Sequence, residues 1–118
     1  MRIKSKAFLL LFVITLMLSG CKEESNNSII KSIESPDEKY VACLFTRDLG
    51  ATTKISYQLS ILKNGEKLSN NKGNIFISYD AFDMEWNKAD ELTVKRNEGI
   101  DIFKQETEYS GIKINYKP

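Results

Sequence analysis

The chain has 118 residues, with seventeen Lys and Arg against sixteen Asp and Glu, two cysteines and no histidine. A near-neutral balance without clustered basic charge excludes a nucleic-acid surface. The lack of histidine removes Ser-His-Asp and Cys-His catalysis, along with the usual zinc ligands.

Arg2, Lys4 and Lys6 precede an apolar run from Ala7 to Leu18, and Leu18-Ser19-Gly20-Cys21 follows. Twelve residues form a helix of about 18 Å, short of the ~30 Å hydrocarbon core, so the run reads as a cleaved secretion signal and not as a membrane span. Ser19 and Gly20 leave little side-chain bulk beside the scissile bond. The segment resembles the lipobox of bacterial lipoprotein signals. That resemblance implies recognition through Leu18, Ser19 and Gly20, cleavage before Cys21, and a diacylglycerol thioether on the Cys21 sulfur. The mature protein is then one domain of 98 residues, Cys21 to Pro118, with fourteen basic and sixteen acidic residues and a net charge of −2. Its expected partner is the membrane, through lipid on Cys21 at the extracytoplasmic face, and attachment comes from acyl chains rather than from surface charge.

Residues 22–28 (KEESNNS) are polar and lack periodicity, so they read as a flexible tether, with the domain spanning residues 29–118. From Ile29 onward the dominant period is two. Ile55, Tyr57, Leu59 and Ile61 alternate with Ser56, Gln58 and Ser60, as expected of a strand with one buried and one wet face. Ile75, Ile77 and Tyr79 repeat the pattern, followed by Met84 with Trp86, Leu92 with Val94, and Ile112 with Ile114 and Tyr116. Tyr40 to Phe45 is apolar on both faces and reads as a central strand covered on each side. Turn residues separate these runs, and Asn64-Gly65 is a hairpin signal. The expected fold is all-β: an antiparallel meander of about six to eight strands forming a small sandwich or barrel. Tyr40, Leu44, Tyr57, Leu59, Ile75, Ile77, Trp86 and Leu92 are expected to share its core.

A lipidated Cys21 has no thiol left to oxidise, so Cys43 is a lone thiol; it shares one face of its strand with Val41 and Phe45, which makes it a buried residue rather than a reactive one. Arg47 to Thr53 is the candidate binding loop. There Arg47 offers a bidentate guanidinium, Asp48 a carboxylate, Gly50 flexibility, and Thr52 and Thr53 hydroxyls. The same residues also suit a plain turn, with Asp48 and Thr52 bonded to its backbone, Gly50 left-handed, and Arg47 paired with Asp48 or a neighbouring strand. Asp80, Asp83, Glu85, Asp90 and Glu91 lack the ordered spacing of a calcium loop. No cofactor or metal is expected.

The lipobox, Ser35-Pro36-Asp37-Glu38-Lys39-Tyr40, Arg47-Asp48-Leu49-Gly50-Ala51-Thr52-Thr53, the Gly73 to Tyr79 strand and Trp86 together resemble a group of small bacterial lipoproteins with a SPDGKY…RDxGATT…GNVF…W pattern. Glu38 occupies the place where that group usually has glycine. The resemblance implies export, lipidation and an extracytoplasmic domain, with no established activity. The expected function is a monomeric, non-enzymatic module binding an envelope protein or a small ligand. The alternative is a carboxylate-dependent enzyme or accessory subunit acting on cell-wall or peptide substrates.

Overall fold

A computed structural model describes residues 25–118; the signal, Leu18, Ser19, Gly20, Cys21 and the first part of the tether lie outside the described residues. Nine strands follow in order: β1 (Asn27–Glu34), β2 (Tyr40–Arg47), β3 (Ser56–Lys63), β4 (Phe76–Ser78), β5 (Asp83–Lys88), β6 (Glu91–Lys95), β7 (Ile102–Gln105), β8 (Glu108–Tyr109) and β9 (Ile112–Lys117). They form two sheets, β1-β2-β3-β4-β7 and β5-β6-β9-β8. The fold is thus all-β and mostly antiparallel, as expected. Among the described residues the one parallel pair is β6 with β9. After β6 the chain crosses to the edge of the first sheet as β7 and returns through β8. A parallel partner needs such a crossover, which a meander of successive hairpins does not provide.

The two sheets share one core, so the molecule is a sandwich. Ala42, Leu44, Leu59, Ile61 and Phe76 from one layer meet Phe82, Met84, Leu92, Val94, Ile112 and Ile114 from the other. Phe76 stands edge-on to Phe82, with ring centroids 4.8 Å apart. Three parts of this core differ from the expectation. A bend at Asn74 and Ile75 shifts the phase of β4 by one residue, so Phe76 and Ser78 point inward and Ile77 is only half-buried. Trp86 is also half-buried, at the sandwich edge, where its indole N–H donates to the Ile33 carbonyl at 2.9 Å and ties β5 to β1. Ile55 precedes β3 and is exposed.

Local turns explain how the strands begin and end. Between β1 and β2 the buried Ser35 hydroxyl donates to Asp37 at 2.7 Å and accepts from the Tyr40 amide at 3.1 Å. The Ser35 hydroxyl and the Lys39 amide hold the Asp37 carboxyl below its ordinary pKa. Glu38 in that turn adopts φ +61°, the left-handed conformation that glycine accepts without a Cβ clash. Lys63 to Glu66 closes as a turn with Gly65 at φ +91°, yet no strand follows directly, and residues 67–74 run across the sheet instead. Order also begins earlier than Ile29, since β1 starts at Asn27.

Candidate functional site

The outer face of the first sheet, turned away from the shared core, is apolar at its centre. Cys43 and Phe45 on β2 face outward there, and Leu68 from the crossing segment packs on both, with Leu62 alongside. Polar side chains of β3 hold the segment down. Gln58 Oε1 accepts the Gly73 amide at 2.6 Å, and Ser60 Oγ accepts the Asn74 amide at 3.2 Å. Asn74 continues the ladder beyond β4, its Oδ1 accepting from the Ile61 amide at 2.9 Å and its Nδ2 donating to the Ile61 carbonyl at 3.0 Å. At Gly73 an added Cβ would lie 2.9 Å from the Leu59 carbonyl oxygen and 3.1 Å from Gln58 Cβ, so only glycine lets the backbones come this close. Gln58 and Ser60 are therefore buried, although their alternation suggested a wet face.

Beside this cover lies a groove of about 410 Å³. Ile29, Val41, Cys43, Leu62 and Leu68 supply its apolar lining, with Ser25, Asn27, Ser32 and Ser69 among its polar groups. Its volume lies near the lower end of the ~300–1,000 Å³ typical of small-molecule sites. Burial pushes the Cys43 thiol above its ordinary pKa, opposed by the Ser32 hydroxyl 3.7 Å from its sulfur. A thiol so placed stays protonated at neutral pH and behaves as an apolar wall.

The polar rim ties the start of the domain to the cover. Ser25 Oγ donates to the Ser69 carbonyl at 3.1 Å, and the Asn26 amide donates to Asn70 Oδ1 at 2.9 Å. Asn27 Nδ2 donates to the carbonyls of Ser69 at 3.1 Å and Asn71 at 2.7 Å. Arg47 belongs to this rim: its Nη1 donates to Asn27 Oδ1 at 2.9 Å, the Asn70 carbonyl at 2.9 Å and Asn70 Oδ1 at 3.1 Å. The rest of the candidate loop turns away from it. Asp48 Oδ1 accepts the Gly50 amide at 3.1 Å, Gly50 has φ +132°, and the Thr53 amide donates to the Gly50 carbonyl at 3.1 Å. Thr52 and Thr53 are exposed. The loop thus splits into a positioning arginine and an exposed turn, and the five residues do not converge on one ligand.

No family model, curated protein or solved structure matches this chain. The site's reading therefore rests on its own geometry. Of the five carboxylates Asp80, Asp83, Glu85, Asp90 and Glu91, three are individually engaged. Asp83 meets Lys31 at 2.9 Å and Glu85 meets Lys95 at 3.3 Å. Glu91 accepts from Asn87 at 2.9 Å and from Asn115 at 3.0 Å. Among the described residues no three metal-ligating side chains group together.

The groove escaped the sequence reading because its lining comes from three strands and a segment that looked like half of a hairpin. The available signal was Leu68. It is a lone apolar residue in a polar stretch, opposite a strand whose second face is also apolar.

Proposed function

We propose that the protein is a lipid-anchored, non-enzymatic binding module on the extracytoplasmic face of the cell membrane, and that the outer groove takes a small, mainly apolar ligand. The observation that carries this reading is the groove itself: an apolar floor with a protonated thiol beneath a hydrogen-bonded polar rim, in a volume suited to a small ligand. Lipid on Cys21 would hold the site at the membrane, where apolar ligands concentrate.

Two measurements test the two halves of the proposal. Mass spectrometry of the membrane fraction is expected to show a mature N-terminus at acylated Cys21, and an intact Met1 would refute the anchor. For the groove, the probe is an environment-sensitive dye, anilinonaphthalene sulfonate. Its fluorescence is expected to rise with the wild-type protein and to fall severalfold with Val41→Trp, which fills the groove from a half-buried position. Equal dye binding by a folded Val41→Trp variant would remove the groove as the site.

A further inference from the structure

Five large apolar side chains stand exposed among the described residues: Ile29, Ile30, Leu49, Ile55 and Phe103, each about half accessible. They come from β1, the β2–β3 loop and β7, yet the register brings them to one end of one sheet. Asn27 pairs with Arg47, and Arg47 with Ser56. Further across, Tyr57 pairs with Ser78, and Ser78 with Ile102. The start of β1, the loop after β2, the start of β3, the end of β4 and the start of β7 therefore lie along a single edge. With strands ~4.8 Å apart, five of them make that edge about 19 Å wide. Separate exposed apolar residues need no explanation, but an alignment of this kind on one edge does.

The same edge is where the chain enters the domain. Ser25 and Asn26 are bonded to Ser69 and Asn70, and the Asp48 amide donates to the Asn26 carbonyl at 3.0 Å. Only three residues separate Ser25 from Cys21, and the four steps between them reach about 14 Å at full extension. We infer that this edge docks on the phospholipid bilayer that holds the lipid on Cys21, so that the Asp48 to Ile55 loop is a membrane-contact loop. The inference rests on the anchoring half of the proposed function; of its five apolar residues only Ile29 also lines the groove.

The chemistry fits an interfacial contact. Leu49 and Ile55 flank a turn of small and hydroxylated residues, Gly50-Ala51-Thr52-Thr53, which suits the headgroup layer. Interfacial segments bury their apolar side chains ~5–10 Å deep, and at ~3.4 Å per residue Ile29 and Ile30 lie within about 10 Å of the start of β1. Phe103 packs on Tyr79 with centroids 4.6 Å apart, and Lys54 Nζ stands 5.2 Å from the Tyr79 ring. That pair of aromatic rings beside a lysine is a common composition where protein meets a headgroup region. Along this edge Arg47 and Lys54 stand with Asp48, Asp80 and Asp101, a net charge of −1, so the attraction to a bilayer is apolar rather than electrostatic.

The test uses the processed full-length lipoprotein in vesicles of phosphatidylcholine and phosphatidylglycerol with brominated acyl chains. A nitrobenzoxadiazole label is placed through cysteine at Leu49, Ile55 or Phe103, and at Asn64 and Lys113 as controls on other faces; Cys43 is buried and Cys21 blocked. The expected result is strong bromine quenching and a blue-shifted emission at the first three positions and neither at the controls. Adding Leu49→Asp and Ile55→Asp, both at exposed sites, is expected to cut the quenching at position 103 at least twofold while the protein still floats with the vesicles. Flotation with equal quenching at all five positions, or with none, would overturn the docking and leave the anchor standing. Failure to float would overturn both.

Discussion

The two sheets of the sandwich are alike on their inner faces and opposite on their outer ones. The outer face of the second sheet carries Glu85, Glu91, Thr93, Lys95, Lys113 and Asn115; Glu91 meets Lys88, Asn87 and Asn115, and Glu85 pairs separately with Lys95. The outer face of the first carries Cys43 and Phe45 under Leu68, with the groove beside them. One layer is therefore finished by water and the other by its own chain. A face that folding leaves partly apolar and reachable is the one to examine for binding, because surface charge networks contribute little beyond solubility.

This contrast can be tested by mutation, and the largest effect is expected from Phe45→Ala. Phe45 is wholly buried on the covered face. Its truncation is expected to cost about 3–5 kcal/mol in urea unfolding, against no more than ~0.5 kcal/mol for Lys113→Ala on the solvated face. Comparable losses at the two positions would mean that the outer faces are not different in kind. Gly73→Ala sharpens the comparison, since the new methyl group meets β3 backbone. A cost of about 1–3 kcal/mol is expected, with faster thiol labelling of Cys43 as the cover loosens. Arg47→Ala should cost about 1–2 kcal/mol through the lost bonds to Asn27 and Asn70, read by the same titration. A neutral Arg47→Ala would instead free the arginine for a ligand.

A smaller effect is expected at the β1–β2 turn. Glu38→Gly relieves a left-handed residue at ~1–2 kcal/mol but adds unfolded-state freedom of ~0.5–1 kcal/mol, leaving a net gain of about 0.5 kcal/mol. Any loss of thermal stability on that substitution would contradict the strain argument. Least of all is the pH dependence. Cys43 has a raised pKa in the fold, so its contribution is complete below the ordinary thiol range and lost as pH rises through the folded value. Asp83 has a lowered pKa, mainly through its bond to Lys31, so its contribution is present above the ordinary carboxylate range and lost on acidification. Both ends of that pair are exposed, which limits it to a fraction of a kcal/mol. Replacing Cys43 by Ala is expected to flatten the alkaline limb of the urea midpoint and leave the acid limb unchanged.

How far the sequence could be read follows the same division. Met84, Leu92, Val94, Ile112 and Ile114 point inward as period two indicates, and of the residues between them Thr93 is buried, its hydroxyl accepting from Asn87. Tyr40 to Phe45 was also legible as a strand covered on both sides, because both of its faces are apolar. Gln58 and Ser60 misled because a polar side chain can be satisfied by a crossing backbone as well as by water. Asn64-Gly65 forms its turn, but a turn does not specify that a strand follows it. The register that gathers Ile29, Leu49, Ile55 and Phe103 on one edge joins strands far apart in sequence, and no local pattern encodes it.

Thiol accessibility tests the central claim, that the first sheet's outer face is closed by the chain itself, most directly. Maleimide labelling of the native protein is compared at Cys43 and at a cysteine placed at Lys113. The expected result is immediate reaction at position 113 and protection of Cys43 until denaturant unfolds the domain, with a labelling rate that follows global stability. Reaction of native Cys43 at a rate near that of position 113 would show that the cover does not hold and would contradict the account.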